Sequence, residues 1–215
     1  MTSNTTIPED AELTARSRYK RGYDFAVLLG AHLFPPLTLF WLMLWIAIPV
    51  LIKLEDHGPV FYGQDRVGKD GKIFRVLKFR TMLPNAEAMT GAVWAVENDP
   101  RITKVGRWLR ASALDELPQV LNILRGEMSF VGPRAERPEL HVTFLESNPL
   151  FAQRIRVRPG LTGIAQIKGS YDLPPGEKIV YDLQYMRIMS PWVDTRLMLM
   201  SVANTLLRRW DRKEH

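Results

Sequence analysis

The chain has 215 residues, a formal net charge of +6, 15 prolines and no cysteine. That length suits one domain with room for a real core, and the lack of cysteine excludes a disulfide framework or a thiolate metal centre, in keeping with a reducing compartment. The positive charge favours anionic partners, namely nucleotides, phosphates, acidic lipids or nucleic acid, without choosing among them.

Residues 1–21 read as a flexible arm, polar at first and basic at Arg16, Arg18, Lys20 and Arg21. Residues 25–52 then run for 28 positions without a formal charge. That is longer than the apolar region of a signal peptide, and no small-residue cleavage site is evident. A straight crossing needs about 20 apolar residues, so the length permits one. Two features oppose it. Pro35-Pro36 removes two amide donors within the run and leaves arms of only 10 and 16 residues. Basic residues also flank both ends, with Lys53, Arg66, Lys69 and Lys72 following, so the positive-inside rule gives no orientation. A hairpin that enters and leaves on one face accounts for both; a proline-kinked spanning helix is the alternative.

Residues 60–67 and 72–79 are β-rich runs joined through Lys69-Asp70-Gly71, and Asp-Gly between such runs predicts a hairpin. Lys78 and Arg80 close the second strand, either as solvated edge charges or as cations facing a phosphate. Residues 83–100 hold Pro84, Gly91 and Pro100 and read as a short helix plus a loop, a mobile cover. Leu117, Val120, Leu121 and Leu124 recur at helical spacing, predicting a short helix from near Asp115 with Pro118 in its first turn. Asp115 would then sit at the positive end of the helix dipole, which favours its ionised form. Acidic residues in a first turn are commonly caps, and Ser112-x-x-Asp115 fits a relaxed capping box. An ionised carboxylate after Arg110 is also a candidate nucleophile or metal ligand in phosphate chemistry.

Residues 138–154 read as an amphipathic helix interrupted at Asn148-Pro149. Arg154, Arg156 and Arg158 alternate along what reads as an extended piece, either a solvated face or bidentate phosphate ligands. Ile179, Val180, Leu183 and Met186 predict a helix up to Met189. Ser190-Pro191 is a restart, with an N-cap serine and a proline at the first helical position. The last helix, to about Arg209, carries Trp192 and a basic end, suiting either an acidic membrane surface or a core helix with a solvated tail.

The strings Lys78-Phe79-Arg80-Thr81-Met82, Asn98-Asp99-Pro100-Arg101-Ile102-Thr103, Leu114-Asp115-Glu116-Leu117-Pro118-Gln119, Gly126-Glu127-Met128-Ser129, Val131-Gly132-Pro133-Arg134 and Pro159-Gly160-Leu161-Thr162-Gly163 occur in that order. In these the chain resembles the bacterial sugar transferases, monotopic polyprenol-phosphate phosphoglycosyl transferases, from about residue 20 to 209. It departs from them at Ala135, where the family commonly has proline, which loosens the turn around Pro133. It also looks like a short form with little beyond the catalytic core.

The resemblance implies a mainly helical α+β fold divided into the arm (1–21), a re-entrant membrane helix (22–54) and a cytoplasmic catalytic domain (55–215) with a β-hairpin and interfacial amphipathic helices. It implies transfer of a sugar phosphate from a nucleotide diphosphate sugar, usually a UDP-sugar, to polyprenol (undecaprenyl) phosphate. Asp115 would be the covalent nucleophile, and Glu116 an auxiliary through Mg²⁺ or proton transfer. Both carboxylates would bind the metal. Arg110, Pro133 and Arg134 would hold phosphate, with Arg158, Lys78 and Arg80 near the substrate. The expected place is the cytoplasmic face of a bacterial inner membrane, with membrane lipids and downstream glycosyltransferases as partners and no nucleic acid. The rival reading is a basic membrane-anchored scaffold without catalysis.

Overall fold

The computed structural model describes residues 7–84, 86, 99–169 and 173–207. Along the chain run α1 (Asp10–Ser17), α2 (Lys20–Leu33), α3 (Pro35–Asp56), β1 (Phe61–Val67), β2 (Ile73–Phe79), α4 (Lys104–Ala111), α5 (Gln119–Arg125), β3 (Ser129–Val131), α6 (Pro138–Ser147), β4 (Gly160–Thr162), α7 (Ile164–Lys168), α8 (Pro175–Ile188) and α9 (Pro191–Leu206), with 3-10 turns at Lys69–Gly71, Leu114–Glu116 and Pro149–Arg156. The mainly helical α+β expectation holds. The cover expected over residues 83–100 and the basic tail from Arg208 lie largely or wholly outside the described residues. The elements form two interleaved compact units: residues up to 27, 64–76 and from 121 onward make the first, and 28–63 with 77–120 the second.

In the first unit, Leu13, Val131, Phe151, Ile179, Leu183 and Met186 share one core. Here the expected arm differs from the structure: α1 is helical and its Leu13 is 4% exposed. A single buried leucine anchors this helix, so no periodicity announced it. Lys20 follows into the interior, its Nζ donating to Val131 O (2.6 Å), Tyr185 Oη (2.8 Å) and Asp194 Oδ2 (2.7 Å). β3 and β4 pair in parallel, Ser129 opposite Gly160 and Val131 opposite Thr162. A Cβ on Gly160 would lie 2.0 Å from Gly132 N, so only glycine allows that approach. The extended piece expected through Arg154 and Arg156 is instead the 3-10 turn Pro149–Arg156. Arg154 is drawn into the interior by Asp182 (2.9 Å) and Glu136 (3.3 Å), and the alternation has no strand to act on. The restart at residue 190 holds: the Ser190 hydroxyl accepts from Val193 N and Pro191 opens α9.

In the second unit, the apolar run breaks at Phe34, which is extended (φ −74°, ψ 111°), and both prolines open α3. The Thr38 hydroxyl donates to His32 O across the break. The second arm is longer than expected: α3 has 22 residues and, among the described residues, is the one helix long and apolar enough to cross a membrane. The difference arises because the break falls before the prolines and the helix continues through Lys53 to Asp56. Its inner face does not stay free, since Ile48 and Ile52 are buried with Phe79, Leu109 and Leu117, and Trp41, Leu44 and Trp45 pack against them. The β1–β2 hairpin expected at Asp70-Gly71 is present, and its turn belongs to the first unit; Asp70 (φ 57°) and Gly71 (φ 75°) both adopt the left-handed region there.

Candidate active site

The acidic pair lies in the second unit, on a turn made by its neighbours. The chain leaves α4 through Ala113, whose φ of 54° is left-handed, a conformation costing an L-residue about 1–2 kcal/mol. In the 3-10 turn that follows, residues three apart eclipse. Leu114 and Leu117 therefore share a side, and both belong to the core around Phe79 and Leu109. Asp115 and Glu116 take the other sides, where Lys78 of β2 meets both. Its Nζ is 2.5 Å from Glu116 Oε1 and 3.8 Å from Asp115 Oδ2.

The helix expected from Asp115 begins at Gln119, so Pro118 stands just outside it. Ser112 does not cap the turn either; its hydroxyl donates backwards to Trp108 O (2.9 Å) and Leu109 O (3.1 Å). α5 has only seven residues and starts four positions beyond Asp115, so a helix dipole does not set the charge of that group. Burial instead raises the Asp115 carboxyl to about 6, helped by the charge of Glu116 and opposed by Lys78 and Arg110. The direction is opposite to the one expected, yet at neutral pH most of the population is still carboxylate.

Arg110 donates through Nε to Thr81 Oγ1 (3.0 Å). Lys78, Arg110, Asp115 and Glu116 are thus brought together. Arg80 is otherwise engaged: its guanidinium is ion-paired with both carboxylate oxygens of Asp56 and bonded to Pro59 O (2.5 Å) and Met82 O (3.1 Å). Asp56 was not legible as a partner, because nothing in the sequence links positions 24 residues apart.

Pro133, Arg134 and Arg158 belong to the first unit. Pro133 O accepts from Gly160 N (2.9 Å), and Arg154 Nη2 donates to Arg134 O (2.9 Å). Arg66 Nη1 donates to Ala135 O (2.9 Å) and Val67 N to Glu136 O (2.9 Å), so the turn without the family's proline is held at each of these carbonyls. Pro133 and Arg134 line a cleft with Glu136, His141 and Arg154. Arg158 donates Nε to Gly126 O (2.9 Å).

Among the described residues no group of three metal-ligating side chains occurs. Asp115 and Glu116 therefore offer two carboxylates, a donor set that suits Mg²⁺ taking its other oxygens from phosphate and water.

These features define a class: a buried carboxylate flanked by cations, in one unit with a broken apolar helix. The family is given by comparison. Residues 15–208 match the family described as Bacterial sugar transferase, and the chain belongs to it. It is similar to the exopolysaccharide production protein ExoY of Rhizobium meliloti (strain 1021), 38% identical over 205 residues, 88% of this chain and 86% of that protein. It is 39% identical over 191 residues to the UDP-N-acetylgalactosamine-undecaprenyl-phosphate N-acetylgalactosaminephosphotransferase of Aeromonas hydrophila, 87% of this chain and 43% of that protein. With the undecaprenyl-phosphate glucose phosphotransferase of Komagataeibacter xylinus it shares 38% over 200 residues, 88% of this chain and 36% of the relative. The chain thus spans less than half the length of the last two relatives.

Proposed function

We propose that the chain is a phosphosugar transferase moving a sugar phosphate from a UDP-sugar to undecaprenyl phosphate, the first step in assembling a membrane-linked glycan that other glycosyltransferases extend. The observation that carries this reading is the Asp115 carboxylate, buried yet mostly ionised, with Lys78 and Arg110 about it. The names of the relatives support undecaprenyl phosphate as the acceptor and a uridine nucleotide in the donor.

An Asp115 oxygen attacks the phosphorus that bears the sugar. The bond from that phosphorus to the bridging oxygen breaks, and UMP leaves with the oxygen and its electron pair. An acyl phosphosugar remains on Asp115. A phosphate oxygen of undecaprenyl phosphate then attacks the same phosphorus, and the carboxylate is released. No net proton is consumed. Lys78 and Arg110 balance the negative charge brought in by the diphosphate, and Glu116 holds Lys78 in place. Mg²⁺ on Asp115 and Glu116 would add charge that two side-chain cations do not supply. Phosphate-binding roles are also proposed for Pro133, Arg134 and Arg158.

The re-entrant path through the membrane, with both flanks cytoplasmic, has three supports. Leu13 and Lys20, before the apolar run, are buried with Val131, Tyr185 and Asp194, after it, and a single crossing would put these partners on opposite sides of a bilayer. One face of α3 from Trp41 to Ile52 packs on a protein core, with Ile48 and Ile52 buried there. On α9, Trp192, Leu199, Val202 and Leu206 form an exposed apolar stripe at helical spacing, as an interfacial helix requires.

Purified protein mixed with a panel of UDP-sugars should release UMP in an amount matching the enzyme when no acceptor is present, and continuously once undecaprenyl phosphate is added. Asp115→Asn should release none. Excess EDTA should abolish turnover; full activity in EDTA removes the metal from the mechanism. No UMP from any donor would leave a non-catalytic membrane scaffold as the reading.

A further inference from the structure

We propose that the acidic end of α3, Glu55 with Asp56, is a yoke that positions the nucleophile-bearing turn, and that Arg80 is its intermediary and a positioning residue, not a phosphate ligand. The proposal rests on the assignment of Asp115 as nucleophile.

A guanidinium has five N–H donors in a fixed fork. Nε donates to Pro59 O, Nη1 to Asp56 Oδ2 (2.6 Å) and Met82 O, and Nη2 to Asp56 Oδ1. Four of the five are thus spent within the protein, and the residue is buried. The group also packs on the backbone at Gly58, where a Cβ would lie 2.8 Å from Nη2. A diphosphate has little left to bind. Asp56 is correspondingly held below the usual carboxylate range by its hydrogen bonds from Arg80.

What Arg80 fixes is Thr81. The Thr81 carbonyl accepts from Thr103 N (3.1 Å), and its hydroxyl accepts from Arg110 Nε. Gly106 approaches so closely that a Cβ there would sit 2.0 Å from Thr81 O. The end of β2 is therefore seated along α4. Glu55 holds the N-terminus of the same helix, accepting from Lys104 N (2.7 Å) and Val105 N (3.0 Å). The far end of α4 carries Arg110 and passes through Ala113 into Asp115. Lys78, which touches both site carboxylates, precedes Arg80 by two residues on β2. Two adjacent carboxylates at the end of the apolar helix thus hold both chain segments that bring charge to the nucleophile.

The test is a set of conservative variants, Glu55→Gln, Asp56→Asn, Arg80→Lys and the double Asp56→Asn/Arg80→Lys, in the full chain in detergent or nanodiscs. A misplaced catalytic group costs rate without costing ground-state binding, so kcat should fall about 10- to 100-fold for Asp56→Asn and Arg80→Lys while the donor KM stays within about threefold. Members of one network are not additive, so the double variant should lose no more than either single one. Backbone amide exchange over residues 104–117 should speed up in all three single variants, a readout that needs no turnover. Should Asp56→Asn fail to fold, the surface change Glu55→Gln still reports on exchange and on kcat. Arg80→Lys raising KM at unchanged kcat, additive losses, or wild-type exchange in Glu55→Gln and Asp56→Asn would each overturn the yoke. A parent protein that labels no Asp115 defeats the proposed reaction instead, and the exchange result then decides the yoke by itself.

Discussion

At Asp115, stability and charge pull against each other. Its carboxyl is raised from 3.8 to about 6 chiefly by burial, so the folded chain holds a proton there more tightly than the unfolded chain. Linkage sets the sign. A raised acid is no liability below the unfolded value; stability is lost as pH climbs from about 4 to about 6, and the whole cost is present above that. The difference between 3.8 and about 6 corresponds to about 3 kcal/mol. Asp115→Asn removes the charge and keeps the shape. In thermal melts at pH 7 it should unfold roughly 6–12 °C above the parent, and at about pH 3, below the unfolded value, the two should coincide. Equal midpoints at pH 7 would contradict a buried, ionised Asp115.

Among the elements, α4 is the one whose seating matters most to the site, and Gly106 makes that seating possible. Gly106→Ala sets a methyl group against the Thr81 carbonyl, where no side chain can rotate away. Overpacking against backbone typically costs about 1–3 kcal/mol, so this variant should show a lower denaturation midpoint and a large loss of UMP release. Unchanged activity would mean that α4 need not touch Thr81. Elements with local signals were legible in the sequence. The hairpin followed from Asp70-Gly71 between β-rich runs, the stop of α6 from Asn148-Pro149, and the start of α9 from Ser190-Pro191. Those made by distant partners were not. β3 and β4 have three residues each, too few for a pattern, and meet because glycines let their backbones touch. The start of α5 was misplaced because Leu117, which ends the 3-10 turn, keeps helical spacing to Val120 and Leu121. Asp115, Glu116, Lys78 and Arg110 were legible from motif and charge, whereas the grip of Asp56 on Arg80 was not.

For the whole molecule, a single core that holds residues from both sides of the apolar run makes topology testable without a membrane structure. The chain has no cysteine, so single ones can be introduced cleanly. Ala11→Cys and Glu146→Cys, both at exposed positions, stand on either side of the run. In intact cells an impermeant thiol reagent should label neither, and after permeabilisation both. Labelling of Ala11→Cys alone would mean that α3 spans the bilayer.

The bond from Lys20 to Asp194 also fixes an order of events. These partners are 174 residues apart in the chain. At about 5–20 residues per second of synthesis, Lys20 waits roughly 9–35 s for its counter-charge to be made. The apolar run emerges early in that interval, before the core that buries Lys20 can form. On the proposed membrane path, insertion of that run precedes the closing of this core.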